Sequence, residues 1–291
     1  MGTHATPDRS KYFVPAPSAY PFILTFGLAL VVISVWGLLE QKNTTWTVYA
    51  GVPVAIAIIY RWFYKVAHES EGGFYGPQVD RTFRWGMSWF IFSEVMFFGA
   101  FFGALFYARN LSVPWLGGAG AKLSTNLTLW PSFEAHWPTN GPGNIGGHFE
   151  TIPEWGVPFL NTVLLVTSSF TVTWAHHALK EGKRQLCIGW MLATITLGAT
   201  FLWFQAHEYI EAYTELNLTL GSGVYGSTFF MLTGFHGMHV TLGTLMLIII
   251  TCRLVFGHFK PDYHFGFEGV AWYWHFVDVV WIGLFTFVYV L

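Results

Sequence analysis

Apolar residues in this chain come in long, nearly unbroken runs. They do not follow a period that would leave one face of an element wet. Seven runs reach spanning length: roughly 22–40, 47–66, 85–108, 156–179, 187–210, 225–250 and 270–290. A helix rising 1.5 Å per residue needs about 20 mostly apolar residues to cross the hydrocarbon layer. No strand-period alternation competes with these runs. Backbone groups in lipid must be satisfied within their own segment, which makes helices the physical reading. The pattern predicts an all-α polytopic membrane protein with seven transmembrane helices.

The polar segments between the runs give a direction. With the N-terminus in the cytoplasm, the inner segments hold Arg9, Lys11, Arg61, Lys65, Arg81, Arg84, Lys180, Lys183, Arg184, Arg253 and Lys260. The outer segments hold only Lys42, Arg109 and Lys122. Such a bias predicts a cytoplasmic N-terminus and, after seven spans, a periplasmic C-terminus. The 109–155 segment contains five prolines and many glycines and reads as an irregular outer loop. Its Trp115, Trp130, Trp137 and Trp155 suggest that it lies against membrane or a neighbouring subunit. No internal repeat is evident, so the inverted-repeat signature of a transporter is missing.

Composition narrows the function classes. Charged residues make up 10% of the chain, against roughly 25% in soluble domains. The net charge of -2 provides no basic surface for nucleic acid. Cys187 and Cys252 stand far apart and form no metal or redox motif. The 1–6 segment fits a myristoylation pattern, read as chance in a polytopic chain, and so are the Asn-x-Ser/Thr matches at Asn43, Asn110, Asn126 and Asn217.

Ionisable groups inside the runs need a reason, because each costs about 2.5–3.5 kcal/mol at bilayer depth. Glu94 lies about 13 Å into the third run by helical rise. Its face also carries Phe90, Phe97, Phe98 and Phe101, while Gly99 and Gly103 project nearly opposite, on a face suited to close helix packing. Glu94 is therefore expected to face an aromatic crevice rather than the tightest helix contact. It reads either as a hydrogen-bonded packing carboxyl or as a site acting on protons or lipid. His275 and Asp278 can meet on one face of the seventh run and either anchor packing or join a polar path. His236 and His239 share a face of the sixth run, and His207 and Glu208 lie near the end of the fifth. These too are expected to be polar packing groups. His176 and His177, at the inner end of the fourth run, are adjacent and splay by about 100° on a helix. No metal site is expected.

Several segments together resemble one family. They are Ser93-Glu94-Val95-Met96-Phe97-Phe98, Trp174-Ala175-His176-His177-Ala178-Leu179, Gly223 through Phe230, Thr233 through Val240, His264-Phe265-Gly266-Phe267-Glu268 and Trp272 through Trp281. In this order they resemble subunit III of haem–copper cytochrome c oxidase, in its bacterial form. The resemblance runs from about residue 60 to the C-terminus, and the first 60 residues match only as two helices.

The resemblance implies two groups of helices, 1–72 with two and 73–291 with five, the latter including the outer loop 109–155. A lipid-filled cleft would lie between them. It implies a non-catalytic subunit of an aa3-type oxidase in the bacterial inner membrane, with bound phospholipids but no cofactor of its own. Haem and copper would sit in partner subunits. Subunit I would be the main partner, with subunit II and small subunits beyond, and cytochrome c met only indirectly. The implied role is to stabilise subunit I and to support proton uptake and oxygen delivery. Glu94 would correspond to the family's carbodiimide-reactive carboxyl, and Glu69, Trp62, Arg61 and Arg84 would contact lipid. His68-Glu69-Ser70 and Gly73-Phe74-Tyr75-Gly76-Pro77 depart from the family's Arg-Glu-Ser and Gly-His-His-Thr-like turn, whose histidine has no counterpart here. A quinol oxidase subunit III is the nearest alternative, and the two leading spans favour the cytochrome c form. An independent transporter, or a haem or quinol protein using His236 or His239 with His275, fits the pattern less well.

Overall fold

The computed structural model describes residues 13–40, 42–44 and 46–291. Arg9, Lys11 and the 1–6 segment lie outside the described residues. Nine α-helices are present among them: α1 Tyr20–Leu39, α2 Trp46–Glu71, α3 Pro77–Tyr107, α4 Val113–Leu116, α5 Leu123–Leu129, α6 Val157–Lys180, α7 Arg184–Thr214, α8 Gly223–Val255 and α9 Phe265–Leu284. Each predicted run forms one long helix, and all seven are long and apolar enough to cross a membrane. No strand is present among the described residues beyond an isolated bridge between Lys260 and Tyr263.

Several helices outrun their apolar stretches. α3 begins at Pro77 where the run starts near 85, and α9 begins at Phe265 rather than near 270. Hydrophobicity reports the thickness of lipid, whereas stop signals set where a helix ends. Gly182 follows α6 with φ +72, and Gly257 follows α8 with φ +81. At each, the glycine N–H and the next N–H return to carbonyls of the last turn: Gly182 to Leu179 and Lys183 to Ala178, Gly257 to Leu254 and His258 to Arg253. Such left-handed caps favour glycine because a Cβ is strained there. Arg184 adds a second stop, donating to the carbonyls of Leu254 and Val255 at the end of α8.

The 109–155 segment is less irregular than its prolines and glycines suggest. A π-helical turn at Ala108–Ser112 continues α3 into α4, which reaches Leu116, and α5 follows. Pro114 sits in this continuation. Proline lacks a donor and clashes with the carbonyl four residues back, and a wider turn just before it relieves both. Beyond α5 the loop is held by buried Asn126, whose Nδ2 donates to the carbonyls of Leu116 at 2.8 Å and Trp130 at 3.0 Å. Trp137 turns inward onto Tyr225 of α8, with ring centroids 5.6 Å apart, whereas Trp155 is exposed.

The chain divides into two compact units, Met1–Trp85 and Gly86–Leu291. In the first, α1 packs on α2, with Gly27 and Gly51 at the closest approach. In the second, α6 to α9 form the core together with the part of α3 that follows Gly86. Trp274, Trp281, Phe201, Phe229 and Phe267 are its largest fully buried side chains. Trp274 lies between two glycines: a Cβ at Gly198 would stand 2.7 Å from the indole, and one at Gly243 would stand 2.9 Å from it.

Candidate functional site

The candidate site is the set of ionisable groups inside the second unit, held between several different pairs of helices. Glu94 leaves α3 on the face that also carries Phe97 and Phe98. Phe98 is 2% exposed, and its ring lies edge-on to His239. Glu94 Oε2 lies 3.1 Å from His239 Nε2 of α8. The other ring nitrogen, His239 Nδ1, lies 2.6 Å from the carbonyl of Phe235. A carbonyl can only accept, so Nδ1 carries a hydrogen and donates to it. The Glu94 contact therefore needs one further shared proton. It is carboxylic acid against neutral imidazole, or carboxylate against imidazolium. This face is the packed one, contrary to the expectation. Gly99 and Gly103 are exposed, and nothing lies within 4 Å of a Cβ added at either. The carboxyl's need for a partner and the aromatic area beside it decide the packing here, not the small residues.

His275 and Asp278 of α9 do meet, through a residue of α6. Ser169 Oγ donates to Asp278 Oδ2 at 2.8 Å and lies 3.1 Å from His275 Nδ1. Thr173 Oγ1 lies 3.3 Å from His275 Nε2. Glu208 of α7 is 2% exposed and accepts from the Tyr289 hydroxyl at 2.6 Å. Tyr289 arrives from the π-helical turn Phe285–Val290 that extends α9. His236 is fully buried, with Nε2 donating to the Val277 carbonyl at 3.1 Å, and its ring is flanked by Phe201 and Trp281. His207, one residue before Glu208, is exposed. The imidazoles of His236, His239 and His275 thus serve three separate partners and do not converge on one point.

Four residues expected to contact lipid lie in the first unit. Glu69 Oε2 accepts from the Tyr75 hydroxyl at 2.9 Å, and Lys65 Nζ stands 3.9 Å from its other oxygen. Burial, with the Glu69 carboxyl beside it, holds the Tyr75 phenol above its usual range. Trp62 stacks on Tyr20 at 6.3 Å. Arg84 donates to Asp80 at 2.8 Å. Arg61 lines a groove with Tyr20, Tyr60, Tyr64, Lys65 and His68.

The sequence reading missed Ser169, Thr173, Tyr289 and Tyr75. Hydroxyls cost little inside a run, so nothing in the linear pattern marks the first three, and Tyr75 lies between two runs, where a polar group is ordinary. Helical spacing offered one signal: Ser169 and Thr173 are four residues apart and share a face.

The family model described as "Cytochrome c oxidase subunit III" matches residues 10–291. The chain is similar to "Cytochrome c oxidase subunit 3" of Papio hamadryas, 37% identical over 292 residues that cover 98% of each chain. It is 38% identical to the protein of that name from Bos mutus grunniens, covering 99% of this chain and 98% of the relative. The same protein of Marchantia polymorpha is 39% identical, covering 97% of each. Seven apolar spanning helices, internally partnered carboxyls and a match along nearly the whole length agree, and the chain belongs to the cytochrome c oxidase subunit III family.

Proposed function

We propose that this chain is the non-catalytic, lipid-binding subunit III of an aa3-type oxidase and that it stabilises subunit I. In this reading it carries no haem or copper and supports proton uptake and oxygen delivery from beside the redox centre. It lies in the bacterial inner membrane with the N-terminus cytoplasmic and the C-terminus periplasmic. Its helices fall into a two-helix and a five-helix group. Subunit I is its main partner, with subunit II and small subunits further off.

One observation carries the reading. Three carboxyls within the spanning helices of the second unit each have a partner on another part of the same bundle: Glu94 on His239, Asp278 on Ser169, Glu208 on Tyr289. Groups engaged in this way hold helices together. A carrier of substrate would instead line a continuous polar route with them. The large apolar side chains left outside, such as Trp89, Phe92 and Trp203, suit lipid and a larger apolar partner.

The test is Glu94→Gln. The amide keeps the shape of the carboxyl and offers an N–H donor to the bare His239 Nε2, while removing the exchangeable acid. Assembly with the haem-bearing subunit and initial turnover should be retained, with inactivation during sustained turnover as the expected change. Failure of the haem-bearing subunit to co-purify would reject the stabiliser reading of Glu94 and make it a packing group only.

A further inference from the structure

A second cluster lies outside the site described above, where α6 ends and α9 begins. His176 stands in the last turns of α6, His264 precedes the first residue of α9, and Glu268 lies one turn inside α9. One ligand atom from each lies within 4.8 Å of the others, and the three are partly buried. Among the described residues, no other group of three histidine, cysteine or carboxylate side chains converges in this way. We propose that His176, His264 and Glu268 bind a divalent cation of the zinc class, which ties the end of α6 to the start of α9.

Three features of the cluster support this. The first is the distance between the imidazoles, whose Nε2 atoms face each other at 3.1 Å. Two nitrogens bound at about 2.05 Å to a tetrahedral ion stand about 3.3 Å apart. The pair is therefore already near the spacing a shared cation requires. Neutral imidazoles in this arrangement must otherwise share a single proton, and a cation replaces that proton and takes both lone pairs.

The second feature is register. His264 and Glu268 are four residues apart at a helix start, so their side chains project from one face. α9 thus presents two ligands and α6 one, which leaves a fourth position for water. Two imidazoles and a carboxylate form a donor set that suits zinc better than calcium or magnesium, which prefer oxygen.

The third is location. The cluster lies beside the polar ends of both helices, where an ion can arrive from water. The ring of Phe267 packs 5.6 Å from that of His176 and backs the site on one side. Lys180, a turn beyond His176, acts on the same point by charge and opposes a cation, so the Glu268 carboxylate is needed to offset it. The Gly182 cap and the Schellman-type return of Lys183 hold the end of α6 independently of any ion.

The site departs from the expectation of no metal, because His264, 88 residues from His176 in sequence, is brought against it only by the fold. It does not depend on the proposed oxidase role, because its ligands all come from this chain.

The experiment uses the full chain purified from its membrane in detergent, with whatever co-purifies. Bound zinc is measured by mass spectrometry of the metal after equilibrium dialysis at a series of free zinc concentrations. Wild type, His264→Gln and Glu268→Gln are compared, the second variant being isosteric. Wild type should hold one zinc per chain more than either variant, or bind that zinc at least about 10-fold more tightly. Calcium at equal concentration should not displace it. Equal stoichiometry and affinity in wild type and Glu268→Gln would overturn the proposal, whether or not His264→Gln folds. Displacement by calcium would overturn the assignment to the zinc class.

Discussion

The α1–α2 pair and the α6–α9 bundle are written in nearly the same apolar alphabet, yet they are built differently. In the most apolar stretch of α1, 17% of residues are buried, whereas in that of α9 the share is 50%. α2 buries only Thr47, Gly51 and Ala55, and α1 leaves Phe22 and Phe26 exposed. The bundle buries indoles, imidazoles and carboxyls together. The difference teaches that apolarity in a membrane chain reports contact with lipid and says little about neighbours. Between helices of equal greasiness there is no hydrophobic drive to associate, so packing detail and polar contacts decide.

This contrast can be broken most directly at Trp274. Trp274→Ala removes a fully buried indole and its hydrogen bond to Ser168, 2.8 Å long. A loss of about 3–5 kcal/mol is expected, read by titrating the purified chain with a denaturing detergent. A cost near zero would show that the bundle is held no more tightly than α1–α2.

Next in size is Ser169→Ala, which takes the bridging hydroxyl from both Asp278 and His275. A loss of about 1–3 kcal/mol is expected. Combined with Asp278→Asn, it should cost less than the sum of the single changes, because the two share one contact. Strict additivity would mean that the bridge is not formed. Tyr289→Phe should cost a similar amount, by leaving Glu208 without its donor.

Arg61→Ala should change stability by less than about 1 kcal/mol, since exposed charges contribute little. Its expected effect is loss of bound phospholipid, counted by mass spectrometry of the purified protein. Unchanged lipid content would remove Arg61 from the residues proposed to bind lipid. The smallest effect belongs to Phe22→Ala, within about 0.5 kcal/mol in detergent. A large cost there would give α1 a packed face and end the contrast.

The spans were legible because a continuous apolar run of sufficient length has few other uses. Glu94, His275 and Asp278 were legible as ionisable groups in lipid, where each must be compensated. Their partners were not. Ser169 lies 109 residues from Asp278, and a hydroxyl inside a run raises no alarm. His239 could be placed on a face, but no period says which helix that face meets. The Gly99–Gly103 face was misjudged for a similar reason. Small residues permit close approach without requiring it, and Phe98 with Glu94 offered more contact on the other side. The continuation of α3 through Pro114 was hidden because a π-helical turn leaves no trace in hydrophobicity.

The indole of Trp274 between Gly198 and Gly243 has a consequence for how such a chain can change over generations. The three positions behave as a lock with an order of opening. A larger residue at 198 or 243 is blocked while the tryptophan is present, and a smaller residue at 274 leaves a hole until one of the glycines grows. Lineages that explore this region must cross an unstable intermediate or change two positions at once. Drift should therefore be slow here and should occur in correlated steps. The exposed surface of α1, which has no such lock, can vary one residue at a time.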